Sequence, residues 1–181
     1  MIRLGSNSPT RALILKTFGI DFIQNGGTFD EDSITTTNPK SFCYEATMGK
    51  FNELYKIYGV DDIPLLVADS VVTCEGKLLR KAKDLADAKA MLELQSGNLT
   101  SVITCMIYKS KEKELIDISI TTYEFEQFDK IHIKEYLESG ECFGKAGAIM
   151  VEGFCKPYIK KVIGYESCAM GLCVEKLKPY L

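Results

Sequence analysis

Apolar residues in this chain follow two periods, and proline, glycine and capping residues mark where one gives way to the other. An apolar stretch at 1 to 4 reads as a strand and runs into Gly5-Ser6-Asn7-Ser8-Pro9-Thr10-Arg11. Proline is excluded from the middle of a strand but favoured at the first position of a helix, with serine, threonine, aspartate or asparagine ahead of it as N-cap. Ser8 is therefore expected as N-cap, Pro9 as N1 and Arg11 as N3, with Ser6 and Asn7 in a short strand-to-helix turn. LILKTF at 13 to 18 closes at Gly19, a suitable C-cap, and 21 to 25 reads as a second strand. Residues 26 to 38 form a loop rich in Gly, Asp and Thr that carries the acidic cluster FDEDS. Phe51, Leu54, Tyr55 and Tyr58 fall at i, i+3, i+4 and i+7, which predicts the apolar face of a helix from about 39 to 58, with Lys50 at its border and Lys56 pointing away. IPLLVA at 63 to 68 predicts a strand buried on both faces that ends at Asp69.

The second half continues the alternation. VVTCEGKLLRK at 71 to 81 reads as a hairpin turning at Glu75-Gly76, and Asp84 caps a helix through Gln95 that stops at Ser96-Gly97. Two long stretches at 99 to 109 and 115 to 128, rich in β-branched and aromatic residues, predict strands. Asp129 caps a helix ending near Gly140, and the remainder, with GKAGAI, PYIKKVIG and a final helix to Lys178, gives strand and helix in short pieces. Interleaved helices and strands with adjacent antiparallel strands predict an α/β fold with a mixed sheet, in one domain over 1–181.

Composition narrows the chemistry. With 181 residues, 46% hydrophobic and 26% charged, the chain can bury a full core without disulfide or metal staples. Its net charge of −3, from 22 basic and 25 acidic residues with no basic block, argues against a nucleic-acid duplex as partner while leaving free nucleotides open. No charged-then-apolar leader and no membrane-length apolar run are seen, so a cytoplasmic protein without a membrane partner is expected. Seven cysteines, an odd number with no C-x-x-C pair, read as free thiols acting as small hydrophobes. The single histidine, His132, lies near no serine or cysteine motif, and neither G-x-x-x-x-G-K-[ST] nor G-x-G-x-x-G is present.

Charged residues recur at the ends of elements: Arg11 at a helix start, Glu31 in the acidic loop, Lys50 at a helix border, Asp69 at a strand end and Lys81 in a loop. An arginine in the first helical turn opposes the helix dipole, which makes sense if an anion docks there, where free N–H groups and the Ser6 and Ser8 hydroxyls also converge. The set suits a nucleotide polyphosphate, whose roughly four negative charges call for two or three cations and a magnesium ion held by carboxylates. A carboxylate just past a buried strand is well placed as a base for water. Each residue also has a plain structural reading. Arg11 could be a solvated residue in a capped helix, Asp69 could cap a turn, Glu31 could be solvated beside Asp30 and Asp32, and Lys81 is one cation among Lys77, Arg80 and Lys83.

The motifs in order, S-x-S-P-x-R after the first strand, the acidic D-E loop, A-x-x-x-K in the second helix, A-D-S-V-V, G-x-L-x-x-K, L-x-S-G, K-A-G-A and a terminal G-L, together resemble the Maf-type nucleoside triphosphate pyrophosphatases, linked by name to septum formation. The resemblance spans essentially the whole chain. It implies an inosine-triphosphatase-like fold with a cleft between two lobes, a homodimer, and cleavage of a nucleoside triphosphate between its α and β phosphates, dependent on magnesium or another divalent metal. Carried over by position, Asp69 is the general base, Glu31 and Asp69 are the metal-side carboxylates, and Ser6, Ser8, Arg11, Lys50 and the catalytic Lys81 bind phosphate. A non-hydrolytic nucleotide-binding regulator of cell division is the alternative, although such a binder has no need of Asp69, Glu31 and Lys81 together.

Departures from the family pattern fall at informative positions. Thr10 stands where the family usually has a second arginine, and Ala82 where proline usually follows the lysine. Val151-Glu152-Gly153 replaces the G-I-Q-G of the pyrimidine-handling branch, and with Ser96-Gly97-Asn98 is closer to the 7-methyl-GTP branch. Ala68-Asp69-Ser70 is closer to the A-D-T of the pyrimidine branch. Ser70 and Glu152 are thus both expected at the substrate and favour different bases, with guanine-type nucleotides slightly preferred over dTTP and UTP because the Glu152 carboxylate suits the N1–H and N2–H₂ donors of guanine.

Overall fold

The computed structural model describes residues 1–181. Seven strands, β1 (Ile2–Leu4), β2 (Phe22–Gln24), β3 (Leu65–Cys74), β4 (Lys77–Leu79), β5 (Leu99–Lys109), β6 (Glu114–Phe125) and β7 (Ile159–Ile163), form one mixed sheet. Hydrogen-bonded neighbours run β2-β1-β3-β5-β6-β7, with β4 paired to β3. The β1 pairings with β2 and β3 are parallel, and β3 with β4 and β6 with β7 are antiparallel. The helices are α1 (Pro9–Thr17), α2 (Pro39–Tyr58), α3 (Leu85–Gln95), α4 (Lys130–Ser139), α5 (Glu166–Ala169) and α6 (Val174–Leu177). The α/β class with a mixed sheet expected from the residues is what the chain forms.

The helix starts follow from their caps. Ser8, Asn38, Asp84 and Asp129 each accept a backbone N–H of the first turn through the side chain, and Pro9 and Pro39 occupy the first helical positions. Glu75 and Gly76, at φ 49 and 74, make the β3–β4 turn, whose two positive φ values match a tight hairpin.

Three boundaries differ from expectation. β3 runs through Asp69 to Cys74, so Asp69 lies inside a ten-residue strand. Its carboxylate has a cationic partner there, and Val71 and Val72 continue the buried run. β6 ends at Phe125, where the register shifts between Glu124 and Phe125; beyond it Glu126 N–H bonds to the Tyr158 carbonyl and Phe128 N–H to Ser96 Oγ. The final helix is split into α5 and α6 around Gly171, whose φ of +106 is a conformation that side-chain-bearing residues rarely adopt. On α2, Phe51 and Leu54 are buried as expected, but Tyr55 and Tyr58 are about two-fifths exposed. Tyr55 stacks on Phe51, and the Tyr58 ring lies 4.0 Å under the Arg3 guanidinium.

By chain contacts the fold divides into two compact units, Met1–Ser70 with Ile103–Ile120 and Tyr165–Leu181, and Val71–Val102 with Thr121–Gly164. In the first, one cluster joins Ile2, Leu4, Leu15, Leu66, Met106 and Leu172, and another joins Phe51, Leu54, Leu65, Val67 and Ile107. The second contains a continuous run of ring contacts through Tyr123, Phe125, Phe128, Phe154, Tyr158 and Tyr136.

Candidate active site

Alternation along β3 assigns its side chains to two faces of the first unit. Leu65 and Val67 pack with Phe51 and Leu54 of α2, whereas Leu66 and Ala68 pack with Ala12 and Leu15 of α1 and with Leu172 and Cys173. Continued by two residues, the same period directs Asp69 toward α2 and Ser70 toward α1 and the C-terminal segment.

On the α2 face, the acidic loop is fastened to the helix one turn from Lys50. Thr28 donates both its N–H and its hydroxyl to the Glu53 carboxylate, at 2.9 and 2.7 Å. The Phe29 ring rests on Gly49, where a Cβ would stand 2.2 Å from Phe29 Cζ, so only glycine admits the loop at this distance. Asp30 then caps a short 3-10 turn, Glu31–Ser33. This delivers Glu31 to Lys50, whose Nζ lies 2.5 Å from Glu31 Oε1 and 2.6 Å from Asp69 Oδ1. Burial by itself draws the Lys50 ammonium down, but Asp69 and then Glu31 more than offset it, and the group is held above its ordinary range. Beneath them the buried Cys43 thiol points at the Asp69 carbonyl, 3.3 Å away, with its pKa pushed up by burial and by the Asp69 charge. Cys43 is a contact that sequence reading did not single out; the apolar pattern of α2 shows only a small buried side chain.

On the α1 face, Arg11 is half-buried and points back across the helix start. Its Nε donates to the Gly171 carbonyl at 2.8 Å, Nη1 to Ser6 Oγ at 3.1 Å and Nη2 to Ser70 Oγ at 3.3 Å. All three partners are neutral oxygens. Desolvation draws the guanidinium down, opposed by attraction to Asp69, Cys43 and Glu31, and an arginine keeps its proton throughout. Ser6 Oγ also accepts the Ser8 N–H, and Ser8 Oγ accepts the Arg11 N–H, so each hydroxyl keeps its own proton available for an anion. Ser6, Ser8, Arg11, Glu31, Lys50, Asp69 and Ser70 are thus gathered in the first unit, brought there by the middle of β3, the start of α1 and the anchored loop.

Lys81 and Glu152 belong to the second unit. Lys81 is exposed and forms an isolated bridge with Ala146, while the preceding carbonyl, of Arg80, accepts the Gly147 N–H at 3.0 Å. Gln95, fully buried, donates to the Gly147 carbonyl at 2.8 Å, and a Cβ on Gly147 would come within 2.8 Å of Val72. The L-x-S-G and K-A-G-A stretches therefore brace the segment that carries Lys81. Glu152 is exposed in the turn after Met150. Beside it lies a depression of about 350 Å³ lined by His132, Glu135, Tyr136, Met150 and Phe154, in which Glu152 takes no part.

No group of three or more His, Cys, Asp or Glu side chains gathers to hold a metal. Glu31 and Asp69 are a pair of hard oxygen donors that already converge on one cation, the kind of pair that suits magnesium when phosphate oxygens and water complete its shell. No helix is long and apolar enough to cross a membrane.

Comparison with known proteins adds to this geometry. Residues 1–181 match the family model described as Maf-like protein. The chain is 50% identical over 179 residues to a nucleoside triphosphate pyrophosphatase of a Nitratiruptor species, covering 98% of this chain and 96% of that one. It is 40% identical over 174 residues to a protein of the same name from Helicobacter pylori, covering 96% and 91%. Against another so named, from Campylobacter jejuni, it is 37% identical over 183 residues, with both chains covered completely.

Proposed function

This chain belongs to the Maf-like protein family, and from that premise we propose that it is a nucleoside triphosphate pyrophosphatase, releasing a nucleoside monophosphate and pyrophosphate. The observation that carries the reading is the first unit's pairing of opposites. A half-buried guanidinium bonded only to neutral oxygens stands at a helix start, and on the other face of the same strand two carboxylates are bridged by one ammonium. The guanidinium, the Ser6 and Ser8 hydroxyls and the first-turn N–H groups suit a polyphosphate. The carboxylates suit what a polyphosphate hydrolase needs beside it, a base and a seat for a divalent ion.

In this mechanism Arg11, Ser6 and Ser8 hold phosphate oxygens, and Lys50 and Lys81 add charge as the anhydride opens. Asp69 accepts a proton from the attacking water as the water oxygen bonds to phosphorus. The bond to the α–β bridging oxygen breaks, and that oxygen leaves with the pyrophosphate. Glu31 and Asp69 would hold magnesium, which supplies charge neutralisation to the phosphates when bound. Thr10, in place of a second arginine, leaves Arg11 as the cation of the helix start.

For the base, the Glu152 carboxylate supports guanine-type nucleotides, 7-methyl-GTP among them, over UTP and dTTP, because it accepts hydrogen bonds and donates none. Glu152→Gln then shifts preference toward pyrimidines.

A pyrophosphate-release screen over a nucleotide panel with magnesium, run beside Asp69→Ala, tests the reading. Turnover by the wild type and its loss in the variant, with nucleotide binding kept, is the expected result. Binding without turnover in either protein would make this a nucleotide-binding regulator instead.

A further inference from the structure

The hydroxyls behind Arg11 have only one consistent arrangement of protons. Thr104 Oγ1 donates to the Cys168 carbonyl at 2.7 Å, and a carbonyl can only accept. Thr104 has a single proton, so in its 2.8 Å contact with Ser70 Oγ it must be the acceptor and Ser70 the donor. Ser70 Oγ in turn accepts from Arg11 Nη2. The chain therefore reads Arg11 Nη2–H to Ser70, Ser70 O–H to Thr104, Thr104 O–H to Cys168. Ser70 lies at a position expected to touch substrate, yet its only proton is directed inward.

Resting on the pyrophosphatase reading above, we propose that Thr104 is a positioning residue for phosphate binding: through Ser70 it fixes the guanidinium of Arg11, and Ser70 belongs to this support rather than to base recognition. Thr104 is fully buried on β5, on the face shared by Met106 and Tyr108. Gly171 closes the same support from the other side, through its carbonyl and through the space its missing Cβ leaves, since a Cβ there would stand 3.3 Å from Arg11 Nε and 3.4 Å from Ser70 Oγ. With Nε and one proton on each Nη engaged, two of the five guanidinium protons remain for an anion. Thr104, through Ser70, and the Gly171 carbonyl help set their direction without touching the anion.

Thr104→Val keeps the shape of the side chain but removes both of its hydrogen bonds, leaving the Ser70 proton without its acceptor. The test is a double-mutant cycle with inorganic pyrophosphate as the probe, its binding measured by calorimetry in wild type, Thr104→Val, Arg11→Ala and the double variant, alongside KM, kcat and thermal midpoint. Thr104→Val is expected to weaken pyrophosphate about tenfold, equivalent to about 1.4 kcal/mol, and to raise KM more than it lowers kcat. In the Arg11→Ala background it should weaken binding by less than about twofold. Thr104→Ser should recover most of the loss. Equal losses in both backgrounds, or no recovery by serine, would mean that Thr104 supports only the fold and would overturn the proposal. Wild-type affinity in Thr104→Val beside weakened binding in Arg11→Ala would overturn it while leaving the phosphate cradle intact. No effect of Arg11→Ala would remove the cradle itself and the proposal with it.

Discussion

Removing the ammonium of Lys50 leaves two carboxylates facing each other, and the structure allows the cost to be sized. Lys50 Nζ lies 2.5 Å from Glu31 and 2.6 Å from Asp69, so the two oxygens are at most about 5 Å apart and their repulsion is on the order of 3 kcal/mol at an effective dielectric near 20. In bulk water it would be about 1 kcal/mol. The Lys50, Glu31 and Asp69 side chains are 21%, 26% and 11% exposed, which puts the figure between these limits. Two charge-assisted hydrogen bonds are lost as well, each worth about 1.5–3 kcal/mol before solvent replaces part of it. Lys50→Met is thus expected to lose about 2–4 kcal/mol of unfolding free energy near neutral pH. The loss should shrink as pH falls, because protonation of the carboxylates removes their repulsion. Urea unfolding of both proteins at intervals from pH 8 to about pH 4 measures this. A difference below about 0.5 kcal/mol at pH 8, or one that stays constant down to pH 4, would refute the coupling of these three side chains.

Three further outcomes follow from the same contacts. Gly171→Ala combines a φ of +106 with a Cβ against Arg11, and should cost about 1–3 kcal/mol in urea unfolding and weaken nucleotide binding as well. Arg11→Ala and Lys81→Ala should each lower kcat/KM by about 1.5–3 kcal/mol of transition-state stabilisation, read from initial rates; near-native kinetics in Arg11→Ala would reduce the helix start to a plain cap. Because the Lys50 pKa is raised above 10.5, its contribution to stability is whole below that pH and is lost as pH rises past it, so wild type should lose stability faster than Lys50→Met above about pH 10.5.

The features legible in the sequence are those decided by near neighbours. Ser8, Asp84 and Asp129 announce helix starts because a short polar side chain bonds an N–H two or three residues on. Glu31, Lys50 and Asp69 also stand out in the sequence, as charges recurring at the ends of elements, and in the structure these three side chains meet. What could not be read depends on partners far along the chain. Asp69 looks like the end of a strand until Lys50 satisfies it from 19 residues away. The last helix looks continuous until Gly171 turns out to hold Arg11, 160 residues distant. Thr104 looks like any β-branched strand residue, and only its contact with Ser70, 34 residues back, marks it as part of the site. Gln95 and Gly147 carry no charge at all, and their support of the Lys81 segment is a matter of one hydrogen bond and one missing Cβ.

Opening of the α–β anhydride of a nucleoside triphosphate is recorded in the identity of the phosphorus products. Phosphorus NMR of a GTP or 7-methyl-GTP digest with magnesium, followed from the first turnover, separates pyrophosphate and nucleoside monophosphate from orthophosphate and nucleoside diphosphate. Pyrophosphate and monophosphate are expected in equal amounts from the start, and neither with Asp69→Ala. Orthophosphate and diphosphate as first products, or pyrophosphate formed equally well by Asp69→Ala, would rule out α–β cleavage with Asp69 as the base.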